Sequence, residues 1–100
     1  MQFIGYNELN NRKGYPSMAA SFERNPYPNK DKIVRFLKSG GEVECARASR
    51  DVDVFSGERI PDEVLVMSAG EFMWSNILSW YVDKYNLRLP KNFEDFILKN

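Results

Sequence analysis

The stretch from Val64 to Pro90, VLVMSAGEFMWSNILSWYVDKYNLRLP, constrains the fold more than any other, because it holds both tryptophans and the longest periodic pattern. Between Ser75 and Asn86 the polar residues Asn76, Ser79, Asp83 and Asn86 recur at three- and four-residue intervals, which on a helix makes one wet stripe. At about 100° per residue, Trp74, Ile77, Leu78, Tyr81, Val82 and Tyr85 then share an apolar arc roughly 140° wide, as a helix packed on a sheet requires. Trp80 projects about 160° away from Leu78. It is therefore either covered by another segment or a surface anchor for a partner.

The remaining elements follow from caps, breakers and alternation. Asn29 is placed to cap a helix over about 30–39, with Asp31 in its first turn, Ile33, Phe36 and Leu37 on its buried face and Gly40 at its end. Pro90 suits the start of a short C-terminal helix whose Phe93, Phe96 and Ile97 make one apolar edge. Phe3, Ile4 and Tyr6 suit an opening strand ended by the turn-forming run Asn10 to Gly14; beyond it, Met18 and Phe22 allow a helical turn or two. Glu42 to Phe55 is expected as strand. There Val43 and Cys45 alternate with Glu42 and Glu44, and Val52 and Val54 with Asp51 and Asp53, the period of a sheet wet on one face. Ala46 to Arg50 interrupts the alternation and predicts a bulge, turn or register change.

Ser56-Gly57-Glu58-Arg59 reads as a turn, Val64 to Met67 as a strand, Ala69-Gly70 as a tight turn, and Glu71 to Trp74 as a brief returning strand before Ser75 caps the helix. A rival reading makes Ser68-Ala69-Gly70-Glu71 a capping box that starts the helix earlier, against which Gly70 in the first turn argues. The expectation is one α+β domain over 1–100: a small antiparallel sheet with two main helices, about 30–39 and 75–86, on one face, and a short C-terminal helix.

Composition bounds the function classes. Hydrophobic residues at 43% and charged residues at 28% lie in the globular range. No apolar run approaches the roughly 18 residues of a membrane span, and MQFIGYNEL lacks a charged segment followed by an apolar one, so a soluble, cytoplasmic protein with no membrane partner is expected. Cys45 is the only cysteine, which fits a reducing compartment. Formal net charge is zero, but residues 1–50 carry nine Lys or Arg against five acids and residues 51–100 carry five against nine. The acids are densest in DVDVFSGERIPDE, where Asp51, Asp53, Glu58, Asp62 and Glu63 face only Arg59. A nucleic-acid binder normally shows a basic excess, so no nucleic acid is expected as partner.

Reactive groups are sparse. The chain has no histidine, the commonest general base and metal ligand. Cys45 lies in apolar alternation without a cationic activator and reads as a small core residue. No Ser-x-x-Lys constellation occurs, Gly40-Gly41 follows a helix instead of opening one, and Asp-Val-Asp-Val-Phe-Ser-Gly lacks the pattern of a calcium loop. No catalytic residue, cofactor or metal site is expected, and the chain reads as a non-enzyme. The acidic run is either a solvated strand face or a partner surface, in which Phe55 among carboxylates both attracts and anchors a basic partner. The candidate partner-binding residues are Asp51, Asp53, Phe55, Glu58, Asp62, Glu63 and Trp80.

The segment MSAGEFMW followed by SNILSWYVDKYNLRLPKNFEDFI resembles small bacterial immunity proteins encoded beside polymorphic toxins, such as those of contact-dependent growth inhibition. In these a turn with Gly precedes an aromatic-x-Trp, a Tyr-rich helix, Leu-Pro and a tail with Phe. KIVRFLKSGG and DVFSGERI also resemble the middle of such chains, so the likeness covers about residues 29–98; Ala69 departs from it, since an acidic residue often precedes that Gly. The resemblance implies stoichiometric binding of a cognate toxin domain, and assigns no residue to the contact. Many such toxins are nucleases with basic clefts, which the acidic segment would cover. A different class of reading is a structural or adaptor subunit that binds a partner or itself through an apolar surface near Trp80. A third is a regulator touching RNA through the basic first half with Tyr6, Tyr15 and Tyr27. The oligomeric state stays open.

Overall fold

The computed structural model describes residues 1–10, 14–47 and 50–100. In chain order the elements are β1 (Gln2–Phe3), α1 (Asn7–Asn10), a 3-10 turn at Ala19–Ser21, α2 (Lys30–Ser39), β2 (Glu42–Ala46), β3 (Leu65–Ala69), β4 (Phe72–Ser75), α3 (Leu78–Tyr85) and α4 (Lys91–Lys99). The sheet order is β1-β4-β3-β2. β3 and β4 form a hairpin closed at Gly70, whose φ of +57° is the left-handed conformation glycine adopts without strain. The α+β class holds, but the sheet is mixed, not wholly antiparallel, because β1 pairs parallel with β4. Its anchors are Gln2 N–H donating to the Glu71 carbonyl at 2.7 Å and Ile4 N–H to that of Met73 at 2.8 Å. The opening strand is also shorter than the run Phe3 to Tyr6 suggested.

The core sits between the sheet and the helices. Trp74 of β4 is fully buried, donates its indole N–H to the Leu37 carbonyl at 2.9 Å, and lies with its ring centroid 5.4 Å from Phe36 and 5.2 Å from Phe93. One side chain thus ties β4 to α2 and α4 on the same face. α3 runs beside α2, where the Lys30 ammonium donates to the Asp83 carbonyl and to Asn86 Oδ1, each at 2.8 Å. Of the apolar arc, Trp74, Ile77, Leu78, Tyr81 and Val82 are buried and Tyr85 half-buried.

The expected wet stripe on α3 is corrected. Asn76 and Ser79 are buried, since main-chain partners replace water: Asn76 Oδ1 accepts from Leu65 N–H and its amide donates to the Glu63 carbonyl, both at 2.8 Å, while Ser79 Oγ donates to the Asn76 carbonyl at 2.7 Å. β4 takes Ser75, so the helix begins three residues later than expected. Strand β2 also departs from expectation. It is exposed throughout, with Val43 56% exposed and Cys45 on the surface, because it is the edge strand and its bulge falls between Val43 and Cys45. Of the stretches where a turn or break was expected, residues 11–13 and 48–49 lie outside the described residues.

One polar anchor had no sequence signal. Glu94 is buried and receives the forked guanidinium of Arg88, at 3.0 Å from Nε and 2.7 Å from Nη2, and the Leu89 N–H at 2.8 Å. Arg88 in turn lies 4.1 Å over the ring of Tyr27. The strip Ser21 to Glu23 is laid along Asn86 to Arg88 by Glu23 N–H to the Asn86 carbonyl and Arg88 N–H to the Ser21 carbonyl, at 3.1 and 2.8 Å. That fixes Phe22 next to α3.

Candidate functional site

Residues 51–60 fold back on themselves as a hairpin arm against α3. Asp53 N–H donates to the Glu58 carbonyl at 2.7 Å, Ile60 N–H to the Asp51 carbonyl at 2.9 Å, and Gly57, at φ +76°, closes the turn. The Asp53 side chain organises the arm from within. Its Oδ1 accepts the N–H groups of Phe55 and Ser56 at 2.7 and 3.1 Å, the aspartate turn that this residue type favours. Its Oδ2 accepts the Trp80 indole N–H at 2.9 Å and the Tyr85 hydroxyl at 2.7 Å. Burial pushes this carboxyl up, but the four donors outweigh it and leave the pKa lowered to about 2.

This reverses the expected alternation. Asp53 is 1% exposed, whereas Val52, Val54 and Phe55 are 51%, 48% and 42% exposed. Two-residue periodicity identifies two faces without saying which is inside, and a shift of one residue exchanges them. Here the donors of Trp80 and Tyr85, both bonded to Asp53 Oδ2, select the carboxylate face. A buried carboxylate beneath two outward valines inverts the usual preference, and such local violations concentrate at working surfaces.

The candidate residues fall into two groups. Asp53, Phe55, Glu58 and Trp80 come together on the arm and α3. Trp80 is half-buried, its N–H spent on Asp53 and its ring covered by Lys84 Nζ at 4.3 Å from the centroid; Lys84 also pairs with Glu58 at 2.7 Å. Asp62 and Glu63 lie beyond Ile60, leading into β3; Asp62 is 4.0 Å from Lys38 and the Glu63 carbonyl accepts from Asn76. Asp51 is half-buried. The expectation that the acidic run from Asp51 to Glu63 lies on the surface is therefore corrected at Asp53, which faces inward because its oxygens satisfy four donors.

Sequence reasoning missed that Phe22 and Tyr85 belong to this surface. Phe22 stacks on Tyr85 at 4.7 Å and 10° between planes, and Phe55 meets them edge-on at 5.1 and 5.5 Å. Asp53 four residues before Gly57 was a turn signature, but such a turn fixes local backbone bonds and does not say which rings pack behind it.

Other features offer less chemistry. A recess of about 150 Å³ has Phe3, Ile4, Leu9, Val66, Arg47 and Asp51 among its walls, below the roughly 300–1,000 Å³ of small-molecule sites, and broader, more open clefts of about 490 Å³ beside Tyr6, Phe22 and Arg88 and about 550 Å³ beside Gly40, Gly41 and Ser68 lie within that range. Among the described residues no group of three or more His, Cys, Asp or Glu could hold a metal ion, and no helix is long and apolar enough to cross a membrane. No family model matches the chain, and no curated protein or solved structure gives a significant match.

Proposed function

We propose that this chain is a cytoplasmic immunity protein that binds a cognate toxin domain one-to-one and blocks it by occupying its surface, with no turnover and no cofactor. The observation that carries the reading is the inverted arm: an apolar edge of Val52, Val54 and Phe55 held outward by a buried carboxylate. Interface hot spots have this form, a rigid apolar centre within a charged rim. The rim residues Asp51, Glu58, Asp62 and Glu63 suit a basic target such as a nuclease cleft, where steering by unlike charge raises the association rate. Asp53 serves this purpose indirectly, by holding the arm.

The reading is tested with the C-terminal domain of an exported protein encoded beside this chain. An equimolar amount of the pure chain is expected to abolish that domain's activity. The triple variant Asp51→Lys, Glu58→Lys, Glu63→Lys is expected to slow capture about tenfold or more at low salt. Unchanged capture by that variant would remove the acids from the interface. The alternative, an adaptor using an apolar surface near Trp80, draws support from the same exposed side chains, since Trp80 lies directly behind the arm. It predicts binding that holds or tightens as salt rises, whereas the electrostatic inhibitor loses on-rate.

A further inference from the structure

Two carboxylates do the same work in different halves of this chain. Asp53 accepts the N–H groups of the consecutive residues Phe55 and Ser56 and so shapes the arm. Glu8, on α1, accepts those of the consecutive residues Met18 and Ala19, at 2.6 Å on Oε1 and 2.9 Å on Oε2, and Oε2 also takes the Ser17 hydroxyl at 3.0 Å. These bonds fix the start of the 3-10 turn Ala19–Ser21, and the Phe22 N–H returns to the Ala19 carbonyl at 3.4 Å. The direction in which Phe22 leaves the turn therefore follows from Glu8. The far side of the strip is held separately, by the bonds of Ser21 and Glu23 to Arg88 and Asn86.

Phe22 is where the two clamps meet. Its ring lies 4.7 Å from that of Tyr85, whose hydroxyl donates to Asp53 at 2.7 Å, and 5.1 Å from that of Phe55, whose N–H Asp53 also holds. Among the described residues no hydrogen bond or salt bridge joins Glu8 to residues 51–60. We propose that Glu8 is a positioning residue for the arm: by fixing the turn before Phe22 it sets the ring against which Phe55 and Tyr85 pack, so the two carboxylate clamps are energetically coupled through Phe22. Distant sites with no shared partner contribute additively, whereas sites that share a packed group do not. The coupling belongs to the fold and stands whether or not the arm meets a toxin; only its consequence for capture rests on the proposed function.

Hydrogen exchange in the full chain tests this, with amides 17–22 reporting the turn, 53–60 the arm, and β3 and β4 the core. Glu8→Ala is expected to speed exchange about tenfold or more in the turn and about threefold or more in the arm, with the core little changed. Combined with Asp53→Ala, it should speed the arm about threefold less than the product of the two single effects. α1 also approaches the arm another way, since Leu9 and Asn10 line the same recess as Asp51. Phe22→Ala separates the two routes: in that background Glu8→Ala should still free the turn but leave the arm unchanged. Should Glu8→Ala unfold the chain, Glu8→Gln, which keeps the shape and loses one acceptor oxygen, gives the same comparison. An arm indifferent to Glu8, an additive double variant, core amides accelerated as much as the arm, or an arm effect that survives Phe22→Ala would overturn the coupling. If the coupling is found while toxin capture is unchanged in Glu8→Ala, the inference stands and the proposed role of the arm in capture fails.

Discussion

Two tryptophans six positions apart divide this molecule into regions that obey opposite rules. Around Trp74 the apolar groups are inside: the ring is fully buried against Phe36 and Phe93, and its N–H ends on the neutral carbonyl of Leu37. Around Trp80 the carboxylate is inside and the valines are outside, and the N–H ends on Asp53. The first arrangement is what hydrophobic burial produces unaided. The second needs a specific set of donors to hold it, so it is where the fold departs from simple burial of apolar groups.

The comparison can be broken most severely at its core half. Trp74→Ala is expected to cost about 3–5 kcal/mol, because a large ring and its contacts vanish from a packed interior. Thermal unfolding should show one destabilised global transition. Asp53→Ala is expected to cost about 2–4 kcal/mol, with the Trp80 and Tyr85 donors losing a charged acceptor. Its signature is local: amides of residues 51–60 exchange faster while those of β3 and β4 keep most of their protection. Equal loss of protection in both regions would mean that the arm is not a separate unit.

Acid sharpens the same contrast. Because the Asp53 carboxyl is lowered from its ordinary 3.8 to about 2 in the folded chain, its contribution is complete above about pH 4 and is lost as pH falls through about 2. Trp80 fluorescence should change across that window before Trp74, whose partner is a carbonyl and does not titrate. Asp53→Asn should abolish the acid-induced step. A wild-type arm indifferent to pH down to 2 would contradict the clamp.

Much of the core half was legible in the sequence. Helix α2 runs Lys30–Ser39 with Gly40 after it, as expected, although Asn29, at φ +66°, makes no side-chain capping bond, and the β3–β4 hairpin turns at Gly70 as its glycine requires. The apolar arc of α3 was legible because helical periodicity is set by residues near in sequence. Less could be read where a long-range partner decides. The pairing of β1 with β4 joins residues 70 positions apart. The inward turn of Asp53 depends on Trp80 and Tyr85, 27 and 32 positions away. Alternation at 51–54 is equally compatible with either face, so without those donors the bland rule chose the valines. Trp80's place outside the apolar arc was the clue, but it pointed to a partner without naming a carboxylate.

The most direct test of the account is to replace the outward edge and leave its support intact, using Val54→Ser with Phe55→Ser, and to measure both thermal stability and neutralisation of the proposed toxin domain. The account predicts a small change in stability, since both side chains are about half in water, and a large loss of neutralisation through faster dissociation. A variant that unfolds at much lower temperature, or one that keeps its fold and neutralises as well as the wild type, would contradict it.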